Sequence, residues 1–192
     1  ALAYEVGSTS MLASRYPEAE DWFQRALAID PDNRNAKIYY ANAIALSTGD
    51  IPRALSVMQG DDPALKLARV TLLAYQRNYR EALALLASVP DTLDNFPPAL
   101  NGPKVEQQAN LYRLMGDEAH ARPLFAQSLP VLLAQLKMLQ GINLATQWTN
   151  IANAEIGSDQ TTAVLDAVVM TLKILADNPD QVYGPGIMVT SA

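Results

Sequence analysis

A single histidine, His120, is the side chain of this sequence best suited to proton transfer or metal binding, and it stands two positions from Glu118. A general base needs a group that titrates near neutrality, and a zinc site needs three or four such ligands. The chain has no cysteine and no second histidine, so His120 has no thiolate or imidazole to join it. Its serines and threonines could build a Ser-His-Asp relay only through that same residue, and no G-x-S-x-G turn is present. Gly184-Pro185-Gly186 lacks the lysine and the spacing of a phosphate-binding loop and reads as a turn. Asp61-Asp62 stands before Pro63, where carboxylates cap the start of a helix. No catalytic residue, metal ligand or cofactor site is expected. The chain reads as a non-enzyme that presents a surface.

Composition narrows what that surface meets. With 14 basic against 20 acidic residues the net charge is −6, and no basic run exists to neutralise phosphates, so this segment is not expected to bind nucleic acid. No apolar run approaches the roughly 18 residues of a membrane span. The absence of cysteine fits a reducing cytoplasm and also permits a periplasmic location with its signal outside the chain. Ala1-Leu2-Ala3-Tyr4-Glu5 has no initiating Met and no basic leader, so the chain is expected to be a fragment of a longer protein.

The elements that must carry the surface show a loose internal repeat. Small residues at Ala19, Ala54, Ala82, Ala121 and Thr162 recur at spacings of 35, 28, 39 and 41. Four residues after each of the first four stands a large apolar group, Phe23, Met58, Leu86 and Phe125. Such a pair lies on one helix face, where the alanine lets another backbone approach and the large group fills the space. Gly49-Asp50, Arg77-Asn78 and Gly116-Asp117 mark turns before these helices, with glycine or asparagine taking the left-handed conformation. Pro17, Pro52, Pro63 and Pro103 fall in first helical turns, where no hydrogen bond is lost.

The spacing predicts helices over 1–13, 17–29, 35–47, 51–59, 63–76, 79–88, 103–115, 118–139, 142–156 and 160–176, with no strand. A long loop is expected between Pro90 and Pro103. Pro123 and Pro130 should kink or shift the helix that contains them. The units fall near 1–33, 34–62, 63–100, 101–140 and 141–180, with 181–192 opening a further helix. No polar capping helix closes the stack, so self-association through its ends is expected.

These residues resemble the tetratricopeptide repeat family. The first unit matches through Gly7, Tyr16, Ala19, Phe23, Ala26 and Pro31, and the fourth through Ala109, Tyr112, Gly116, Ala121 and Phe125. The second and third keep the turn and the small/large pair, and the fifth has Thr162 and Asp166 where Ala and Phe are expected. The stretch Leu111 to Phe125 together with Asp180 to Pro185 is also similar to such arrays in bacterial signalling and transcriptional regulators. The resemblance implies an all-α, right-handed superhelix (solenoid) of about five hairpins. It also implies a non-catalytic scaffold that binds a peptide or a partner helix on its concave face.

Carried onto the first helices, the implied contacts are Tyr39, Tyr40, Asn42, Thr71, Tyr75, Glu106, Asn110, Arg113, Gln147, Trp148 and Asn150. The aromatic members serve equally well as packing between units. A clamp on a chaperone's terminal carboxylate is not expected, because Arg113 alone matches its Lys, Arg and Asn pattern. The alternatives are a sensory or oligomerising array that acts within a larger bacterial regulator, and a small-molecule-binding or catalytic helical domain.

Overall fold

The computed structural model describes residues 2–90, 103–136, 142–159 and 161–177. Among them the regular elements are ten α-helices: α1 (Leu2–Leu12), α2 (Tyr16–Ile29), α3 (Arg34–Thr48), α4 (Ile51–Val57), α5 (Pro63–Tyr75), α6 (Tyr79–Ala87), α7 (Lys104–Leu114), α8 (Glu118–Gln135), α9 (Ile142–Gly157) and α10 (Thr161–Asp177). They pack as consecutive hairpins, α1 on α2 through to α9 on α10. The class is therefore all-α, a solenoid of helix-turn-helix hairpins. Helix ends fall within two residues of the sequence expectation, save that residues 137–139 of the eighth helix lie outside the described residues. So do most of the Pro90–Pro103 loop and the further helix expected after residue 180.

Local chemistry sets each helix. Asn33, Asp50, Asp62 and Asp117 accept the first free backbone N–H groups of α3, α4, α5 and α8, as when Asp62 Oδ1 receives Ala64 N at 2.8 Å. Pro17, Pro52 and Pro63 occupy first-turn positions, while Pro103 is itself the cap residue of α7. α8 runs through Pro123 and Pro130 without breaking. All five hairpins turn on a left-handed residue: Ser14, Gly49, Arg77, Gly116 and Asp159, with φ of 57°, 71°, 60°, 77° and 61°. In the third hairpin that residue is Arg77, not Asn78.

The chain separates into two compact units, residues 1–93 and 94–192. In the first, Ala19, Ala54 and Ala82 are 0% exposed, and so are their large partners Phe23, Met58 and Leu86. Each such apolar group contributes about 2–3 kcal/mol by leaving water. Gly7 lets α1 sit directly on α2, because a Cβ there would lie 2.8 Å from Phe23 Cε1. A polar clasp joins the first two hairpins. Glu20 of α2 receives Arg53 Nη2 of α4 at 2.8 Å and the Ser47 hydroxyl of α3, and Arg53 Nη2 also reaches Tyr40 Oη at 3.4 Å.

The second unit holds two hairpins around Ala109, Ala121, Phe125, Leu129, Leu132, Ile151, Ala154 and Ala167. Gly157 closes it, since a Cβ there would collide with the Phe125 ring and with Arg113 Nη2. In α10 the buried face carries Ala167 and Thr171, and Asp166 is exposed.

Candidate functional site

In the first unit α1 packs against α3 and α3 against α5, so the first helices of the three hairpins form one continuous wall. The alanine spacings of 35 and 28 give the equivalent positions along it. They are Tyr4, Tyr39 and Leu67; Ser8, Ala43 and Thr71; Met11, Leu46 and Ala74; and Leu12, Ser47 and Tyr75. Within each helix the second position follows the first by four residues, and the last two follow the second by three and four, which keeps them on one face. None of them carries a charge; Met11, Ala43 and Leu67 are buried, the first two in the cluster of Ala19 and Phe23, and Leu12, Tyr39, Leu46 and Tyr75 are the exposed apolar members.

Aromatic packing shapes one end of this wall. Phe23, fully buried, stacks on Tyr39 with ring centroids 5.8 Å apart and planes at 21°, and Tyr4 approaches both rings at 5.9 Å. Burial pushes the Tyr4 phenol above its ordinary value; the neighbouring Tyr39 and Glu5 add to this and the Ser8 hydroxyl opposes it. Tyr39 is 37% exposed, Leu46 53% and Tyr75 69%, so apolar surface opens to water along α3 and α5. Tyr40 points elsewhere: it packs between the two core clusters and its hydroxyl meets Arg53. Asn42 and Thr71 are half-buried. Sequence reasoning passes over Tyr4 and Leu46, although Tyr4 precedes Tyr39 by the same 35 residues that separate Ala19 from Ala54.

In the second unit the candidate residues are mostly consumed by the fold. Gln147 is 0% exposed and donates Nε2 to Leu132 O and to Gln135 Oε1, both at 2.9 Å, near the end of α8. Trp148 packs on the core. Arg113 lies over the Phe125 ring at 4.0 Å, and its Nε is 4.0 Å from Glu118 Oε1. Glu106 is 2% exposed with Oε2 unpartnered, and burial pushes its carboxyl up to about 8. Asn150 Nδ2 is likewise buried without a partner, and Asn110 is half-buried. A polar side-chain type suggests surface, but helical period places Glu106 and Gln147 on packed faces.

His120 stacks on Tyr112 at 5.1 Å, and its Nδ1 is 2.6 Å from Asp117 Oδ2, the carboxylate that caps α8. Among the described residues no group of three His, Cys, Asp or Glu is placed to hold a metal ion, and no helix is long and apolar enough to cross a membrane. A depression of about 280 Å³ beside Asn33, Arg34, Asn35 and Asp62 brings together one ion pair, Arg34 to Asp62 at 3.8 Å.

Comparison with solved structures places this architecture. A putative kinesin light chain of Podosopora anserina with nearly identical TPR-like repeats, in a single-substitution form, superposes with TM-score 0.59 over 93% of this chain and 95% of that one, at 15% identity. A second structure of the same protein gives 0.57 over 91% and 94%, at 16% identity. The fold is tetratricopeptide-like. The MamA protein agrees, with TM-score 0.52 over 94% of each chain at 10% identity. No protein-family model matches the sequence, and no curated protein matches it.

Proposed function

We propose that the tetratricopeptide-like wall of α1, α3 and α5 is a binding surface for an extended, uncharged segment of a partner protein rich in aromatic or aliphatic residues. The observation that carries this is the exposure of Tyr39, Leu46 and Tyr75 on α3 and α5, next to the partly buried Tyr4 and the buried Met11, Ala43 and Leu67. Rings held by Phe23 are already ordered, so binding on them loses little side-chain entropy. An acidic or basic peptide would be desolvated there with no counter-charge, which sets the preference. The reading needs no chemistry from the chain, and in the second unit the burial of Glu106 and Gln147 leaves fewer side chains free for contact.

The test is calorimetric titration of the whole chain with three panels of short peptides: aromatic and uncharged, acidic, and basic. The uncharged aromatic panel should bind. Tyr75→Ala, which removes an exposed ring, and Tyr39→Ala should each weaken binding by about 1 kcal/mol or more, roughly fivefold. Preference for a charged panel, or affinity indifferent to both substitutions, would refute it. A sensory or oligomerising role inside a larger regulator would use the same wall. That role requires the gene beyond residues 1–192 to encode a winged-helix or cyclase domain, which sequencing decides.

A further inference from the structure

In the second unit, contacts with α8 fix the register of α7 against α9. Gln147, near the start of α9, donates to Leu132 O and Gln135 Oε1 near the end of α8. Gly157, at the end of α9, lies on the Phe125 ring, nearer the start of α8. Arg113, near the end of α7, lies over that same ring. Both helices therefore run opposite to α8 and parallel to each other, with Arg113 Nη2 against Gly157. Seven residues are two helical turns and return to the same face. Two turns back from Arg113 is Glu106, and two turns back from Gly157 is Asn150. The two side chains thus share one level of the α7–α9 joint.

Each of them holds an unanswered polar atom. Glu106 is 2% exposed, its Oε2 has no partner, and Asn150 Nδ2 is buried without one. A buried donor or acceptor left unpaired bears its full desolvation cost, so native structures supply a partner. The repeat sharpens the contrast: the alanine spacings of 28 and 39 put Glu106 at the position of Tyr39 and Leu67. Where the first unit packs a ring or a leucine, the second buries a carboxyl. No cation answers it, because Arg113 is turned to Phe125 and Glu118. Oε2 accepts whether the carboxyl is ionised or carries its proton on Oε1, and Nδ2 only donates. The two atoms do not pair directly. What joins them must accept from Nδ2 and donate to Oε2. A metal cation would meet the Nδ2 hydrogens with the wrong charge, whereas a water molecule does both.

We propose that a buried water molecule bridges Asn150 Nδ2 and Glu106 Oε2 and sets the spacing of α7 and α9, the first helices of the last two hairpins. The joint is hydrated where the one between α1 and α3 is closed by the rings of Tyr4 and Tyr39. Nuclear magnetic resonance of the whole ¹⁵N-labelled chain tests it. The Asn150 side-chain amide, identified by its disappearance in Asn150→Leu or Asn150→Ala, should show cross-relaxation with a long-lived water. Glu106→Gln keeps an acceptor in place and should retain that signal, while Glu106→Leu should abolish it. Urea unfolding supplies an independent reading. Combined, Glu106→Leu and Asn150→Leu should cost at least about fivefold less in the unfolding constant than the product of the two single effects, since each removes the other's partner. Asn150→Ala takes the place of Asn150→Leu in the same cycle if the leucine variant does not fold. A wild-type amide with no long-lived water, a signal that survives Glu106→Leu, or single effects that simply multiply would overturn the proposal.

Discussion

Gly7→Ala sets two effects against each other, and the structure decides the sign. In an unobstructed helix interior, alanine stabilises relative to glycine by about 0.5–1 kcal/mol. At residue 7 a Cβ would stand 2.8, 2.9 and 3.0 Å from Cε1, Cδ1 and Cζ of Phe23. That ring cannot yield freely, because it is fully buried and held between Tyr4 and Tyr39 at 5.9 and 5.8 Å. Forcing a methyl into such packing costs about 1–3 kcal/mol, so a net loss of about 1–2 kcal/mol is expected. Urea denaturation followed by far-ultraviolet circular dichroism measures it, and thermal melting should show a fall in Tm of about 2–4 °C per kcal/mol for a chain of this size. The penalty should shrink in a Phe23→Leu background, where the shorter side chain leaves the methyl room, giving a coupling between the two sites. A Gly7→Ala protein as stable as the wild type, or more so, would show that α1 does not rest on Phe23 as described.

Three further outcomes follow from strain and burial. Arg77, at φ 60°, holds a conformation that costs a non-glycine residue about 1–2 kcal/mol, so Arg77→Gly should stabilise by about 0.5–1 kcal/mol. Gly49→Ala should lose a similar amount although its Cβ would touch nothing, and both are read by the same urea titration. Glu106 has its folded-state carboxyl raised from 4.5 to about 8, so its protonated form is favoured in the folded chain. The stability it contributes is complete below pH 4.5 and is lost as pH rises toward 8. Glu106→Gln, which stays neutral, should flatten that decline in melting temperature across the same window, and an unchanged pH profile would contradict the burial of Glu106.

The hairpins are legible in the sequence because their signals are local. Ala19 and Phe23, Ala54 and Met58, Ala82 and Leu86, and Ala121 and Phe125 all reach zero exposure, as a small/large pair on one helix face requires. Ser14 and Arg77 are not legible as left-handed turns, because neither is a residue type that favours that conformation; the packing of the hairpin imposes it. The candidate binding residues are legible only as helix positions. Tyr39 and Tyr75 open to water as expected of a wall, but Tyr40 turns to Arg53, Arg113 to Phe125 and Gln147 to α8, choices that depend on neighbours distant in sequence. Register discloses Tyr4, since it repeats the position of Tyr39. Glu106 is legible as a packed position only through helical period, three residues before the buried Ala109, and against what its charged type suggests.

The joint that carries the clasp of Glu20, Ser47, Arg53 and Tyr40 also sets how the first unit comes apart. In a row of hairpins, stability is a sum of what each holds within itself and what it shares with its neighbour. Glu20 is 12% exposed on its side chain and its charge is answered from α3 and α4. Pulling α2 away parts this carboxylate from a guanidinium that is itself 45% exposed, so the ion pair adds about 1 kcal/mol or less, and the larger shared term is the packing of Phe23 against Tyr39. The first two hairpins therefore open as a single cooperative block, and amide protons in α2 and α3 should exchange at a common rate rather than fraying one helix at a time.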